Sequence, residues 1–405
     1  MLGIAGCTGG GDGGDDSSSS SGKMSWTDEE MSLVTAPEHP ELLEPSEWEQ
    51  SNRETVAHLT WSSYQAENVQ GPFREQFNAN TRIDLFVDMP KAINRLNAGG
   101  WKTFNQGTFD MGFLPTLVEE GLVRPMDLES WRPYSFDHYT DQWNPDSGYK
   151  YAFIDEETYE FSEDGQLYGI PQRWGWVSWM VNTDEVDEED YHNYDAAWMP
   201  DKYDIGVNDA QWQYVTQVVL MRAGIHPFEE HTESDLETYR EKLTELFKGA
   251  KAVLPSWGAT LQAMKAGEID ITIYSFNALA SSLRKDTGDT EKWKCPVPEP
   301  VDGLKMGSNW VETTVMLKGN HPRASDNYLA YLQKPEVAAE LMWPEKGILA
   351  TVPQQAAIDQ LDDSQKQTLD ADYWDTALDR SLFFTGIPDL EKFEPIYREV
   401  KSQHA

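Results

Sequence analysis

Cysteine is almost missing from this chain of 405 residues: Cys7 and Cys295 are the only two. One at the amino terminus and one deep in the chain make no disulfide framework. Zinc takes about four N, S or O ligands, and no paired-cysteine spacing exists to supply them. The eight histidines are scattered, and the closest pair, His226 and His231, is five apart, off the spacing of one helical face. No metal site is expected. Long apolar runs are missing too: nothing approaches the ~18 consecutive apolar residues of a helical membrane span. Basic residues are scarce, 32 Lys and Arg against 70 Asp and Glu, for a net charge of −38. That balance excludes nucleic-acid backbones and anionic membrane surfaces as partners and permits cationic ligands. Its ordinary meaning is solubility in concentrated salt, where screening removes the self-repulsion. A Gly-x-Ser-x-Gly elbow, a Gly-rich phosphate loop and internal repeats are also absent, so neither catalysis nor a cofactor is expected.

What is present is globular. Hydrophobic residues make up 39% and charged residues 25%, and the length suggests two or three domains at roughly 150 residues each. The first residues depart from this composition. Ile4-Ala5-Gly6-Cys7 resembles a lipobox, whose cysteine accepts a lipid after cleavage, although only six residues precede Cys7. Behind it come Gly9 to Gly14, interrupted by Asp12, and then Ser17 to Ser21, a flexible tether. Lipidation at Cys7 is expected, and the stretch to about Glu54 stays acidic and weakly patterned.

From His58 strands and helices alternate. His58–Tyr64, Ile83–Asp88 and Phe109–Leu114 read as strands. Gly71-Pro72 opens a helix over 73–78, and Pro90 starts another that ends near Gly99-Gly100. A second series begins after Asn182. Asp204–Asn208 is a strand, Asp209 is placed to cap the following helix, and Ser234-x-x-Glu237 reads as a capping box. Leu236, Tyr239, Leu243 and Leu246 form an apolar stripe at helical spacing. Ala252–Leu254, Ile269–Tyr274 and Val311–Leu317 are further strands, and helices are expected over Pro335–Met342 and Phe393–Val400. Trp174–Asn182 reads as an extended strand crossing between two α/β units. These features indicate a two-lobed α/β protein with a hinge and an interlobe cleft.

Four stretches carry a family resemblance. Trp61-Ser62-Ser63-Tyr64, Tyr168-Gly169-Ile170-Pro171 with Trp174-Gly175 and Val181-Asn182, Asn208-Asp209-Ala210, and Trp310-Val311-Glu312 with Lys334-Pro335-Glu336-Val337-Ala338 occur in order over most of the chain. Together they resemble the spermidine/putrescine-binding proteins of ABC importers. The resemblance implies a type II periplasmic-binding-protein-like fold. The expected organisation is a signal remnant (1–7), a tether (8–54), lobe 1 (55–174 plus 311–355) and lobe 2 (175–310 plus 356–405). It also implies a monomer at the extracellular face of the membrane (the periplasmic space in a double-membraned cell). There it would be held by the lipid on Cys7 and would deliver ligand to permease and ATPase subunits.

The resemblance further implies a ligand site. Trp61, Tyr64, Trp174, Tyr274 and Trp310 would be aromatic walls, Ser62 a hydroxyl contact, and Asp209 and Glu312 the anionic partners of ammonium groups. Departures from the family pattern stand beside this. Trp212 replaces a second acid on the lobe 2 helix. Tyr274 or Ser275 fills one aromatic position, another falls near Ile348, and Phe113–Pro115 offers no match to the serine and tyrosine after the third strand. Arg173, beside Trp174, would repel a polyamine if it faced the cleft, and would suit an anionic or zwitterionic metabolite instead. A polyamine or other organic cation is therefore the first expectation, with the Arg173 ligand as the alternative. A secreted carbohydrate-active enzyme built from the sixteen tryptophans and many acids comes third. A cell-surface structural protein would need repeats or all-β patterning, and neither is present.

Overall fold

The computed structural model describes residues 54–86, 88–319, 323–344 and 348–404. Cys7 and the tether up to residue 53 lie outside the described residues. Twelve strands are assigned among them: β1 (Thr55–Thr60), β2 (Asn80–Leu85), β3 (Gln106–Asp110), β4 (Phe153–Ile154), β5 (Gln166–Leu167), β6 (Ile170–Asn182), β7 (Ile205–Asn208), β8 (Ala250–Leu254), β9 (Ile271–Phe276), β10 (Trp293–Lys294), β11 (Gly307–Met316) and β12 (Ser381–Phe383). Ten of them share one mixed sheet with the path β2-β1-β3-β11-β6-β9-β7-β8. β10 pairs with β6 and β12 with β11.

The path explains the two lobes. β1, β2 and β3 run parallel in one half, and β7, β8 and β9 run parallel in the other. β6 and β11 are the long members that join them, antiparallel to each other and to β9 and β3 respectively. All thirteen residues of β6 are buried, as expected for a strand covered on both faces. The run Trp174–Asn182 read from the sequence is thus the larger part of one crossing strand, and β11 is the second. One core contains Leu59, Phe109, Leu117, Trp174, Trp176 and Met180, joined by Leu361, Leu369, Trp374 and Ala377. Another contains Trp179, Val207, Val218, Tyr239, Leu243 and Trp310, joined by Phe393, Ile396 and Val400. The last fifty residues are therefore shared between the two cores.

Several local readings shift. The first strand ends at Thr60, because Ser62–Gln65 forms a 3-10 turn. The helix expected to open at Gly71-Pro72 instead spans Glu67–Phe77, with Pro72 inside it. The second strand is Asn80–Leu85, and the third ends at Asp110, where a 3-10 turn begins. The helix Pro335–Met342 keeps the bounds read from its proline. In the helix Glu233–Gly249 the stripe of Leu236, Tyr239, Leu243 and Leu246 is buried as expected, but the capping box is Thr232 with Asp235, not Ser234 with Glu237. The Asp235 carboxylate accepts from Thr232 N at 2.8 Å, and Asp235 N donates to Thr232 Oγ1 at 3.2 Å. Thr232→Ala should therefore lower the urea-unfolding stability by about 1 kcal/mol, and Ser234→Ala should be close to neutral. Equal losses from both would refute this assignment. No helix among the described residues is long and apolar enough to cross a membrane.

Candidate functional site

In open α/β sheets, ligands bind outside the carboxyl ends of parallel strands. In one lobe those ends deliver Trp61 after β1, Phe86 after β2 and Asp110 closing β3. In the other they deliver Asp209 after β7, Trp257 soon after β8 and Phe276 closing β9. The crossing strands run between the two sets, with Arg173 opposite Glu312 and Gly175 opposite Trp310.

The Arg173–Glu312 pair dominates the electrostatics of this middle ground. Arg173 Nε and Nη2 donate to the two carboxylate oxygens of Glu312 at 2.8 Å each. Nη1 donates to the carbonyls of Leu341 at 3.3 Å and Ile348 at 3.1 Å. Tyr64 Oη donates to Glu312 at 2.9 Å, and its ring lies 5.2 Å from the guanidinium carbon. The two side chains are 0% and 6% exposed. Burial is the largest influence and works against the Arg173 charge, but Glu312 and Tyr64 together more than offset it, so the guanidinium is held above its ordinary pKa. Burial and the same carboxylate push the Tyr64 hydroxyl up. A bulge sets up this contact: the β11–β6 ladder slips between Glu312 and Thr313, which re-aims side chains locally.

The expected ligand residues are therefore disposed unevenly. Glu312 is neutralised by Arg173. An anionic ligand on Arg173 would have to compete with this pair, since Arg173 donates to Glu312 and two backbone carbonyls. Asp209 does not cap the helix Trp212–Arg222, whose first turn lacks a side-chain cap. Its carboxylate accepts from Tyr397 Oη at 3.1 Å and pairs with Lys401 of the terminal helix Leu390–His404. Trp174 is core: its ring packs on Trp143, Trp176 and Trp374, and its backbone exchanges hydrogen bonds with Thr351. Tyr64 is fully buried behind the ion pair. Trp310 lies edge-on to Gly175, where an added Cβ would sit 2.6 Å from its ring. Ser62 is exposed beside the half-buried Trp61, whose ring rests 4.2 Å from Phe86 and whose indole N–H is buried without a partner among the described residues. Tyr274 is buried with its hydroxyl on Gln211. Its ring stacks on Tyr214 at 4.9 Å, and Trp257 packs beside it at 4.9 Å. Cys295 is buried, as expected of a lone apolar-like cysteine. Among the described residues no group of three or more His, Cys, Asp or Glu is assembled for a metal.

The residue the sequence reading passed over is Asp110. It closes β3, is half-buried, and accepts one hydrogen bond, from Gly112 N at 3.0 Å. No ion pair to it forms among the described residues. Burial is the main cause that pushes its carboxyl up to about 7, and the like charge of Glu312 adds to it. Its charge in turn raises the hydroxyls of Tyr214 and Tyr274 across the lobes, although burial is the larger cause for both. Beyond Tyr214, Phe384 lies 5.4 Å away and Phe113 lies 6.3 Å from Phe384. The signal in the sequence is an acidic residue closing the strand Gln-Gly-Thr-Phe-Asp.

No protein-family model and no curated protein matches the sequence. Solved structures do. The spermidine/putrescine substrate-binding protein PotD of Streptococcus pneumoniae superposes with a TM-score of 0.65 at 16% identity, over 87% of this chain and 100% of that one. This chain has the fold of the substrate-binding proteins of ABC transporters. The Tp0655 (TpPotD) lipoprotein of Treponema pallidum gives a TM-score of 0.66 at 15% identity, over 86% of this chain and 99% of that one. The binding protein MotA of Agrobacterium tumefaciens, solved with glucopine, gives 0.56 at 12% identity, over 86% and 99%. The ligands named for the first and third of these neighbours differ, so the shared fold leaves the ligand to the side chains.

Proposed function

We propose that this chain is the extracellular solute-binding component of an ABC importer, without catalytic activity, and that it takes an organic cation between its lobes. The observation that carries the cation is Asp110: a half-buried carboxylate at a carboxyl strand end, electrostatically coupled to Tyr214 and Tyr274 of the other lobe, with no basic partner among the described residues. A buried charge without a partner is costly, and a cationic ligand would supply the partner. Trp61, Phe86, Tyr214, Trp257 and Tyr274 provide faces for methylenes and for cation–π contact. In this reading Cys7 carries the lipid anchor and the stretch to about residue 54 is the tether. Ligand bridges the lobes and favours the closed form, which the permease recognises.

A thermal-shift screen in high salt tests the reading. The panel contains organic cations, polyamines, amino acids, phosphonates, thiamine and simple sugars. A ligand at about a hundred times its Kd adds about 2.7 kcal/mol to folding by mass action. Cations should raise the melting temperature by several degrees, whereas sugars and phosphonates should not. Shifts confined to anionic or neutral solutes would overturn the cation, and robust turnover of a sugar polymer would overturn the non-catalytic role.

A further inference from the structure

The acids around the cleft differ in whether the chain already neutralises them. Asp88, after β2, pairs with Lys91 at 2.5 Å. Asp209 pairs with Lys401. Glu312 pairs with Arg173 at 2.8 Å. Asp110 pairs with no basic side chain among the described residues, and the charged group acting on it, Glu312, has the same sign. A diamine or polyamine needs a carboxylate at each ammonium end. Here a second one becomes open only if an existing ion pair breaks, and in the case of Glu312 that pair is buried and doubly hydrogen-bonded.

The hydrogen-bonding inventory points the same way. A primary ammonium carries three N–H donors, and each one buried without an acceptor is penalised. Asp110 acts electrostatically on Tyr214 and Tyr274, and the turn it caps brings Gly112 against Phe384, whose ring lies 5.4 Å from Tyr214, itself stacked at 4.9 Å on Tyr274 with Trp257 beside it. The Tyr274 hydroxyl donates its proton to Gln211 Oε1 at 3.1 Å. A fully substituted ammonium has no N–H to satisfy, needs one counter-charge, and draws on ring faces.

We propose that Asp110, with the rings of Tyr214 and Tyr274, forms a pocket for a compact organic monocation of the quaternary-ammonium class, in preference to a diamine or polyamine. This rests on the interlobe cleft being the ligand site. Asp110 supplies the single counter-charge, and the rings enclose the alkylated head.

Isothermal titration of the full chain in high salt with tetramethylammonium, choline, putrescine and spermidine tests it. Choline should bind at least about tenfold more tightly than putrescine. Asp110→Asn should weaken choline by at least about tenfold, the scale of a lost charge-assisted contact. Tyr214→Leu should weaken it by about three- to thirtyfold. Asp110→Glu, which keeps the charge, should recover part of the affinity. Tighter binding of putrescine or spermidine would overturn the monocation pocket and leave the cation-binding role standing. Choline binding that is indifferent to Asp110→Asn would remove the site from Asp110. Binding of none of the four, with a shift by an anionic or neutral solute, would overturn both this pocket and the cation-binding role.

Discussion

Replacing Glu312 with glutamine should destabilise the ligand-free protein by about 3–5 kcal/mol, because it leaves the Arg173 guanidinium charged, buried and unmatched. Glutamine preserves the shape and one acceptor, so packing loss contributes little. What disappears is the anion that faces Nε and Nη2 of Arg173 and accepts from Tyr64. The pair sits where β6 and β11 cross between the lobes, with Arg173 directly opposite Glu312. Loosening there would be felt in both cores. Urea unfolding followed by intrinsic fluorescence gives the number. The double variant Arg173→Met with Glu312→Leu should recover most of the loss, since replacing both partners of a buried pair by apolar residues is often near neutral. A loss under about 1 kcal/mol in the single variant would mean that the carboxylate is not held by Arg173. Glu312 would then return to the set of open ligand contacts implied by the family resemblance.

Asp110→Asn should act in the opposite direction and stabilise the ligand-free protein. The carboxyl is raised from 3.8 to about 7 by burial first and by Glu312 second. A raised carboxyl means that the folded state resists ionisation. Its favourable contribution is complete below the unfolded pKa near 4 and is lost as pH climbs through the folded value near 7. The ceiling of the effect is about 4 kcal/mol, which partial exposure and solvent screening reduce to about 2 kcal/mol. Thermal melts of the two proteins should therefore coincide near pH 4, diverge in favour of Asp110→Asn between pH 4 and 7, and stay a constant distance apart above pH 7. The groups coupled to Asp110, namely Glu312, Tyr214, Tyr274 and the Gly112 amide, are common to both proteins and cancel in the difference. Asp110→Asn melting below the parent protein at pH 8 would show that the carboxylate already has a cationic partner. A gain in stability from removing a side chain on which binding depends is the usual signature of a strained binding site.

The two predictions separate two kinds of acid that look alike in a sequence. Asp and Glu total 70 in this chain, and no local pattern marks which of them is paired. Trp310-Val311-Glu312 marks Glu312 as a candidate, and the structure places it on the crossing strand β11 opposite Arg173. Its availability could not be read, because its partner is 139 residues away in sequence and meets it only through the β6–β11 ladder. Asp209 followed the same course: Asp before a helix is a capping signal, yet its carboxylate is claimed by Tyr397 and Lys401 from the far end of the chain. Arg173 was recognised as an anomaly beside Trp174, and the structure supplies the reason for it. Asp110 was missed since its meaning depends on what is absent around it, and a missing counter-ion leaves no mark in sequence.

Elements were easier to read than contacts. The alternation of strand and helix, the long apolar crossing strand, the proline that starts the helix Pro335–Met342 and the buried stripe on Glu233–Gly249 all follow from local propensity and periodicity. Those signals depend on residues a few positions apart, and they were enough to indicate two α/β units around a hinge. Composition alone narrowed the partners, because a net charge of −38 acts at long range whatever the fold. The tertiary structure decided which charges are spent. Pairing of buried groups is settled by strand register and by helices that arrive from distant parts of the chain. The free energy of a buried carboxylate depends on whether a cation stands within a few ångströms of it. Among the described residues Glu312 has one and Asp110 does not, and that difference, which is invisible in the order of the residues, selects the candidate binding site.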